Sequence, residues 1–159
     1  MGAHVRRGAR GLTKLDGPVI VVYSLTHALA ALTAATEADR PIIILSAPDS
    51  GIYAGPGWFK ALVDAAREAV PEANVTFILD CGDDAGAAQG AIRAGIEALI
   101  FSGRTDVAER LAEIATARGL RLLTRRPTAL LDLGDLFFAD DDTLHRHCSE
   151  RLASAKSFC

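Results

Sequence analysis

The sequence predicts an α/β fold in which about five parallel strands, or six if residues 129–133 form one, alternate with helices. The predicted strands are apolar throughout, which is typical of a parallel sheet buried on both faces. Helical segments separate them, as in repeated β–α units. With 159 residues, of which 50% are apolar, the chain can form one sizeable core. We therefore expect a single domain over residues 17–159, folded as an incomplete TIM-barrel-like sheet or as an open doubly wound sheet.

The first half of the chain divides into two such units. A strand is predicted at residues 19–23, where an apolar run follows a Gly-Pro pair, and a helix at 26–38, where leucines recur at helical spacing. The second strand is predicted at 42–45. A long loop, 46–57, leads to an amphipathic helix over 59–70 that a proline ends. The loop carries glycine and proline and is long for this type of connection, which suits either a rigid turn or a lid.

The same alternation continues through the middle of the chain. The third strand is predicted at 75–79, followed by a helix over 84–94. The fourth strand is predicted at 98–101, followed by a helix over 106–119 that ends at a glycine. The fifth strand is predicted at 120–124. Crossovers between parallel strands are right-handed, so each helix should pack back onto the sheet.

The segment that precedes the last predicted helix, 144–155, is unusually apolar for the end of a small domain. Its apolar side chains are Leu130, Leu131, Leu133, Leu136, Phe137 and Phe138. A half-barrel of five or six strands cannot close on itself, so it leaves open edges or an uncovered apolar face. Either segment 129–158 folds back over this surface or a second copy covers it; we predict a homodimer with this cluster at or near the interface.

The N-terminal residues differ from the rest in charge. Residues 1–15 hold four basic side chains and no acid, so we expect a flexible basic arm over 1–16. The net charge of −3 argues against a nucleic-acid partner, and no run approaches the roughly 20 apolar residues that a membrane span requires. Asp16 interrupts the basic start, so no signal peptide is expected, and three widely spaced cysteines form no disulfide framework. These features predict a cytoplasmic protein.

One run carries a family resemblance. Residues 74–104, NVTFILDCGDDAGAAQGAIRAGIEALIFSGR, resemble the middle of the class II, zinc-dependent fructose-bisphosphate aldolases, where a strand ends Leu-Asp-His-Gly, a Lys-Ala-Ile-x-Ala-Gly helix follows and the next strand closes with Asp-Gly-Ser. Segments 22–32, 40–46 and 52–55 are similar to earlier parts of that family, in the same order. The resemblance covers residues 18–104 and implies the N-terminal half of an aldolase-type barrel.

The resemblance also implies which functional groups this chain keeps and which it lacks. Asp80 matches the acid–base aspartate of the family, whereas Cys81 stands where a zinc-ligand histidine is expected. Ser102 replaces the aspartate of Asp-Gly-Ser and Arg104 replaces its serine. No His-Gly-Gly-Ser-like segment follows residue 104. We therefore expect no bound metal or other cofactor, and no full class II aldolase activity.

The candidate site is predicted at the carboxyl edge of the sheet, where parallel strands deliver ligand-binding side chains. Asp80 is the candidate catalytic residue. The candidate ligand-binding residues are Ser46, Tyr53, Cys81, Ser102 and Arg104. A structural role is the alternative for Cys81, because the neighbouring carboxylates would raise the pKa of its thiol.

Two functions from different classes follow from these observations. The first is an aldolase-like protein that binds a small anionic or carbonyl metabolite at this edge without the zinc reaction; any activity would be of the lyase type. The alternative is a non-enzymatic interaction or regulatory domain that binds a protein partner through its sheet edge or basic arm. A metal-dependent lyase with ligands shared between subunits is a third, weaker hypothesis.

Overall fold

The computed structural model describes residues 15–155, and these fold around one sheet of six parallel strands. The order across the sheet is β5-β4-β3-β2-β1-β6, so the last strand lies beside the first. The strands are β1 (Val19–Val22), β2 (Ile42–Ser46), β3 (Val75–Asp80), β4 (Ala98–Ile100), β5 (Arg121–Leu123) and β6 (Leu131–Asp132). The prediction of a parallel α/β sheet is confirmed, and residues 129–133 do contain a sixth strand.

The helices of the described residues line one face of this sheet. They are α1 (Leu25–Glu37), α2 (Ser50–Tyr53), α3 (Pro56–Ala69), α4 (Ala85–Ala94), α5 (Thr105–Ala117) and α6 (Asp141–Ser154), with a 3-10 turn at Leu133–Leu136 before the last. Helix α1 packs between α6 and α3, and α4 packs between α3 and α5. Their apolar faces bury the larger of two cores, which includes Phe59, Phe77 and Leu99. Alanine is frequent in α1 and α4, which allows the helices to approach the sheet closely.

The opposite face of the sheet has its own smaller core, to which no described helix contributes. Its members are Val19, Val21, Ile43, Leu45, Ile78, Ala98 and Ile100, all buried. Leu15, Tyr23 and Leu123 pack against them. A doubly wound sheet would carry helices on both faces. With helices on one face only of the described open sheet, the arrangement fits the incomplete-barrel alternative better than the doubly wound one. Strands β5 and β6 are not paired with each other, so the sheet stays open.

A segment without regular structure, residues 124–130, connects β5 at one side of the sheet with β6 at the other. It leaves β5 at the carboxyl edge of the sheet and runs to the amino end of β1. There the Leu130 N–H donates to the Val19 carbonyl (2.8 Å). We call residues 124–130 the crossover. Arg126 of the crossover lies at the carboxyl edge of the sheet, at the ends of β2 and β3.

Two details of the fold differ from expectation. Helix α2 lies inside the segment predicted as a loop, 46–57, because its glycine and proline content masks a short helical turn. The apolar cluster predicted at a dimer interface is mostly internal: Leu133 is buried, and three other leucines pack on the larger core. Only Phe137, at 48%, and Phe138, at 95%, expose large parts of their rings.

Most of the predicted basic arm, residues 1–14, lies outside the described residues. Within the described range, no helix combines the length and the hydropathy that crossing a bilayer would need.

Candidate functional site

Asp80 closes strand β3 at the carboxyl edge of the sheet, where the sequence predicts it. It follows Ile78 by two positions. Strand alternation therefore places its carboxylate on the same face of the sheet as Ile78, the face that carries the smaller core. The side chain is only 5% exposed. Its Oδ1 accepts a hydrogen bond from the backbone N–H of Gly82 (2.7 Å). A carboxylate this deeply buried needs a compensating charge.

Arg126 of the crossover supplies that charge. Its Nη1 donates to Asp80 Oδ2 at 2.6 Å and to the Ser46 carbonyl at 3.2 Å. The guanidinium is 30% exposed, so it closes over the buried carboxylate from the solvent side. Arg126 was not among the site residues predicted from the sequence. Its place three residues after β5 indicates the carboxyl edge of the sheet, but no sequence pattern shows that the crossover brings it to Asp80.

Ser46 joins the same network from the end of β2. Its Oγ accepts a hydrogen bond from the backbone N–H of Asp80 (2.9 Å) and donates to the Ala47 carbonyl (3.1 Å). Ser46, Asp80 and Arg126 therefore connect the ends of two neighbouring strands to the crossover. We call these three residues the central cluster. Two of them, Ser46 and Asp80, were predicted from the sequence.

Cys81 points away from this cluster, into the larger core. Burial above all, and then the carboxylates of Asp80 and Asp84, raise the pKa of its thiol to about 12. Its Sγ packs under α2, where a Cβ on Gly51 would lie only 2.8 Å away. Zinc requires a thiolate that it can reach. Because Cys81 is buried in the larger core, its thiol does not fit a zinc centre at the carboxyl edge, and among residues 15–155 no three His, Cys, Asp or Glu side chains converge as metal ligands.

The other predicted site residues lie further from the cluster. Tyr53, in α2, is 85% exposed. Ser102 is exposed and its backbone N–H donates to the Gly82 carbonyl (2.8 Å), so its backbone is tied to the turn after β3. Arg104 is 80% exposed, and its guanidinium pairs with Asp106 through two contacts of 2.9 and 3.1 Å. Within the described residues, the cation that reaches Asp80 is thus Arg126 and not Arg104.

A second polar group lies at the ends of β1 and β6. The Tyr23 hydroxyl donates to Asp132 Oδ2 (3.4 Å), and the Tyr23 N–H donates to Nδ1 of the buried His27 (3.1 Å). Because Nδ1 accepts this bond, the neutral ring carries its proton on Nε2. That atom is buried and makes no hydrogen bond of normal geometry within residues 15–155, although the Phe137 backbone lies close enough to the ring to act as an acceptor. We call Tyr23, His27 and Asp132 the flanking cluster; the sequence analysis did not predict it.

The pKa values of this flanking cluster are shifted by burial. Burial lowers the pKa of His27 below its ordinary 6.5, while the nearby backbone of Phe137 and the Asp132 carboxylate act in the opposite direction. Burial also raises the pKa of Tyr23, and so does the hydrogen bond to Asp132. The charge of Arg126 acts on Tyr23 in the lowering direction, so the central and flanking clusters are in electrostatic contact.

Comparison with known proteins finds similarity to aldolases and one negative result. A curated protein named as a plasmid-borne fructose-bisphosphate aldolase, from Cupriavidus necator, is 27% identical over 117 residues, which cover 65% of this chain and 34% of the relative. A crystal structure assigned to a fructose-1,6-biphosphate aldolase from Coccidioides immitis superposes with a TM-score of 0.56 at 24% identity, over 68% of this chain and 40% of that one. No protein-family model matches the sequence.

These similarities support an aldolase-like half-fold. The described strands and helices correspond to part of the larger structure, and the chain spans about a third of the length of the curated relative. The resemblance stated from residues 18–104 is confirmed at this level. The match of Cys81 to a zinc-ligand position stays a prediction.

Proposed function

We propose that this chain binds a small metabolite that carries an anionic group and a hydroxyl or carbonyl oxygen, of the sugar-phosphate kind, at the carboxyl edge of its sheet. The observation that carries the proposal is the Asp80–Arg126 pair. It places one anion and one cation 2.6 Å apart at the end of a central parallel strand, in a fold similar to that of aldolases. Ligands of open α/β sheets bind at such strand ends.

The two charged groups have different roles in this proposal. Arg126 binds the anionic group, because a guanidinium presents several N–H donors to phosphate or carboxylate oxygens. When it turns to the ligand, it releases Asp80 Oδ2, which then accepts a hydrogen bond from a ligand hydroxyl. Ser46 holds the Asp80 backbone in place, and Tyr23 lies within electrostatic range of Arg126. Zinc has no part in the proposed binding, since the Cys81 thiol is buried in the larger core, under α2.

Arg126 must change partners when the ligand binds, and its position on the crossover allows this. Arg126 belongs to a segment without helix or strand, whereas Asp80 and Ser46 end regular strands. A cation on an irregular segment can change partners at lower cost than one on a helix. Arg125, next to it, is exposed and adds positive charge for an anionic ligand.

Binding of fructose 1,6-bisphosphate, the sugar named for the similar aldolases, tests the proposal by calorimetry. We expect Arg126→Lys to weaken binding about tenfold or more, which corresponds to about 1.4 kcal/mol. Arg104→Ala is the matched control, because it removes an arginine at a neighbouring strand end that is paired with Asp106. Unchanged binding in Arg126→Lys, together with a loss in Arg104→Ala, would assign the site to Arg104 and overturn this arrangement. If no sugar phosphate or inorganic phosphate binds at millimolar concentration, the proposal is wrong.

A cleavage assay with the same sugar tests the absence of the class II reaction. We expect no cleavage with or without added zinc, because metal ligands and oriented groups supply most of the rate of such reactions. Cleavage that depends on Asp80, and is lost in Asp80→Asn, would contradict this expectation.

A further inference from the structure

The chain itself covers Asp80 in this structure. Each oxygen of the Asp80 carboxylate accepts a hydrogen bond, Oδ1 from the Gly82 N–H (2.7 Å) and Oδ2 from Arg126 Nη1 (2.6 Å). The carboxylate is almost fully buried, and the guanidinium of Arg126 lies on its solvent side. A ligand hydroxyl therefore cannot reach either oxygen while Arg126 stays in this position.

The same guanidinium attaches the crossover to the sheet. Arg126 donates to the Asp80 carboxylate and, at 3.2 Å, to the Ser46 carbonyl. Within residues 15–155, no other residue between 123 and 130 makes a hydrogen bond or ion pair with the rest of the chain. Four of these other residues, at positions 124, 125, 128 and 129, are exposed. Without the Arg126 contacts, hydrogen bonds would hold the crossover only at its two ends, at β5 and at Leu130.

The position of Arg126 allows the crossover to open while the sheet stays folded. The guanidinium is partly exposed, so water can solvate its charge as soon as it leaves Asp80. The strands β2 and β3 are fixed by their pairing with each other. Segments with few buried contacts and an exposed backbone open locally, at a lower free energy than the core. The attached form nevertheless predominates, because a buried carboxylate needs its cation.

We propose that the crossover is an autoinhibitory strap, which blocks Asp80 while Arg126 is attached and admits a ligand only after the crossover has opened. This inference rests on the proposed function and deepens it, because it names what regulates the same site. The phosphate group of the ligand takes Arg126 from Asp80, so the ligand selects the open form. The apparent affinity for the ligand is therefore reduced by the fraction of molecules in which the crossover is attached.

Limited digestion of the full chain with trypsin measures how often the crossover opens. Trypsin cleaves after arginine, but Pro127 protects the bond after Arg126, so the Arg125–Arg126 bond is the cleavable one in the crossover. We expect Asp80→Asn to accelerate cleavage of this bond about tenfold or more, since the amide keeps an acceptor for the Gly82 N–H but offers Arg126 no charge. Asp106→Asn is the matched control, because it removes the carboxylate that pairs with the exposed Arg104, and it should leave the rate unchanged.

Cleavage after Arg110 separates opening of the crossover from unfolding of the domain. Arg110 lies within α5, so trypsin can cut there only when that helix unfolds. We expect this bond to be cleaved more slowly than the Arg125–Arg126 bond and to respond much less to Asp80→Asn. Equal acceleration of the two bonds in Asp80→Asn, or no acceleration after Arg125, would overturn the proposal.

Fructose 1,6-bisphosphate tests whether the ligand competes with the free, open form. At about ten times the dissociation constant measured by calorimetry, we expect cleavage after Arg125 to slow about tenfold, because the ligand holds Arg126 and depletes the open form. Trypsin hydrolysis of a small arginine substrate, as the control, should not change. Binding without a change in cleavage after Arg125 would reject this regulation and leave the proposed function standing. An absence of binding would refute the proposed function, and the result with Asp80→Asn would then decide alone whether Arg126 holds the crossover closed.

Discussion

The central cluster and the flanking cluster lie at the same edge of one sheet, yet their polar groups are satisfied to different degrees. Between β2 and β3, each oxygen of the Asp80 carboxylate has a donor, and the Asp80 N–H has an acceptor. Between β1 and β6, the buried His27 Nε2 makes no hydrogen bond of normal geometry within the described residues, and the Phe137–Phe138 pair is exposed beside it. Buried polar groups without partners are rare in folded proteins and call for an explanation.

The two clusters are therefore constrained to different degrees by the strands beside them. The central cluster has long, continuous strands on both sides, which fix its geometry and leave one movable part, Arg126. The flanking cluster adjoins β6, which pairs with β1 through only two residues. After the turn at Leu133–Leu136, which packs on the larger core, Phe137 and Phe138 are exposed beside this cluster.

Removal of Arg126 should produce the largest effect, because it leaves a buried carboxylate without its cation. We expect Arg126→Ala to lower the free energy of unfolding by about 3 kcal/mol, measured by urea denaturation. Arg104→Ala removes an exposed ion pair and should cost less than about 1 kcal/mol. The double variant Asp80→Asn with Arg126→Ala should be more stable than Arg126→Ala alone. Equal stabilities of the two single arginine variants would show that the central cluster is no more tightly constrained than the surface.

Gly51 tests the packing behind the central cluster. A methyl group at this position would lie 2.8 Å from Cys81 Sγ and 3.0 Å from the Asp80 carbonyl. We expect Gly51→Ala to destabilise the fold by about 2 kcal/mol through overpacking. The matched control is Gly57→Ala, since no atom lies within 4 Å of the added methyl group there. Addition of Cys81→Ala should restore only part of the loss, because the backbone contact with Asp80 remains.

His27 should make the flanking cluster sensitive to acid. Its pKa is lowered in the folded state, so the unfolded chain binds a proton more readily. The stabilisation is therefore complete above the ordinary pKa of 6.5 and falls as the pH decreases below that value. We expect His27→Asn, which keeps an acceptor near the Tyr23 N–H, to flatten the decline in unfolding free energy between about pH 7 and pH 5. His147→Asn, on α6, is the control; an equal flattening in both variants would disprove the assignment to His27.

Substitution of Asp132 should produce the smallest change in the free energy of unfolding. The hydrogen bond from Tyr23 is long and exposed, so Asp132→Asn should change the unfolding free energy by less than about 0.5 kcal/mol. It should nevertheless lower the pKa of the Tyr23 phenol, because the carboxylate is one of the groups that raise it. Absorbance titration in a Tyr53→Phe background isolates Tyr23, since the chain has two tyrosines. A Tyr23 pKa that does not move would show that burial alone sets it.

The fold was predictable from the sequence wherever a strand is buried on both faces, because such a strand is a continuous run of apolar residues. Strands β1 to β4 are such runs, and the position of Asp80 at the end of β3 follows from its run alone. Strand β6 is two residues long and was ambiguous for that reason. Helix α2 was missed because its composition is that of a loop.

The candidate site was predictable only in part, because its cation comes from another part of the chain. Arg104 comes four residues after β4 and was chosen from the sequence, yet Asp106, two residues on, pairs with its guanidinium. Arg126 reaches Asp80 only because the crossover passes over the ends of β2 and β3. The path of an irregular segment is set by tertiary packing, which single-sequence patterns do not encode. Tyr23 and Asp132 were missed for the same reason, since β6 brings them together.

The position of β6 beside β1 also bears on the order in which the chain folds. Strands β1 to β5 pair with neighbours in sequence, whereas β6 must find a partner at the opposite end of the chain. Closing a long loop costs more entropy, and contacts between distant residues slow folding. We therefore expect the crossover to settle late in folding. Because Arg126 lies on the crossover, the Asp80–Arg126 pair is completed with it, and the candidate site forms only at the last stage of folding.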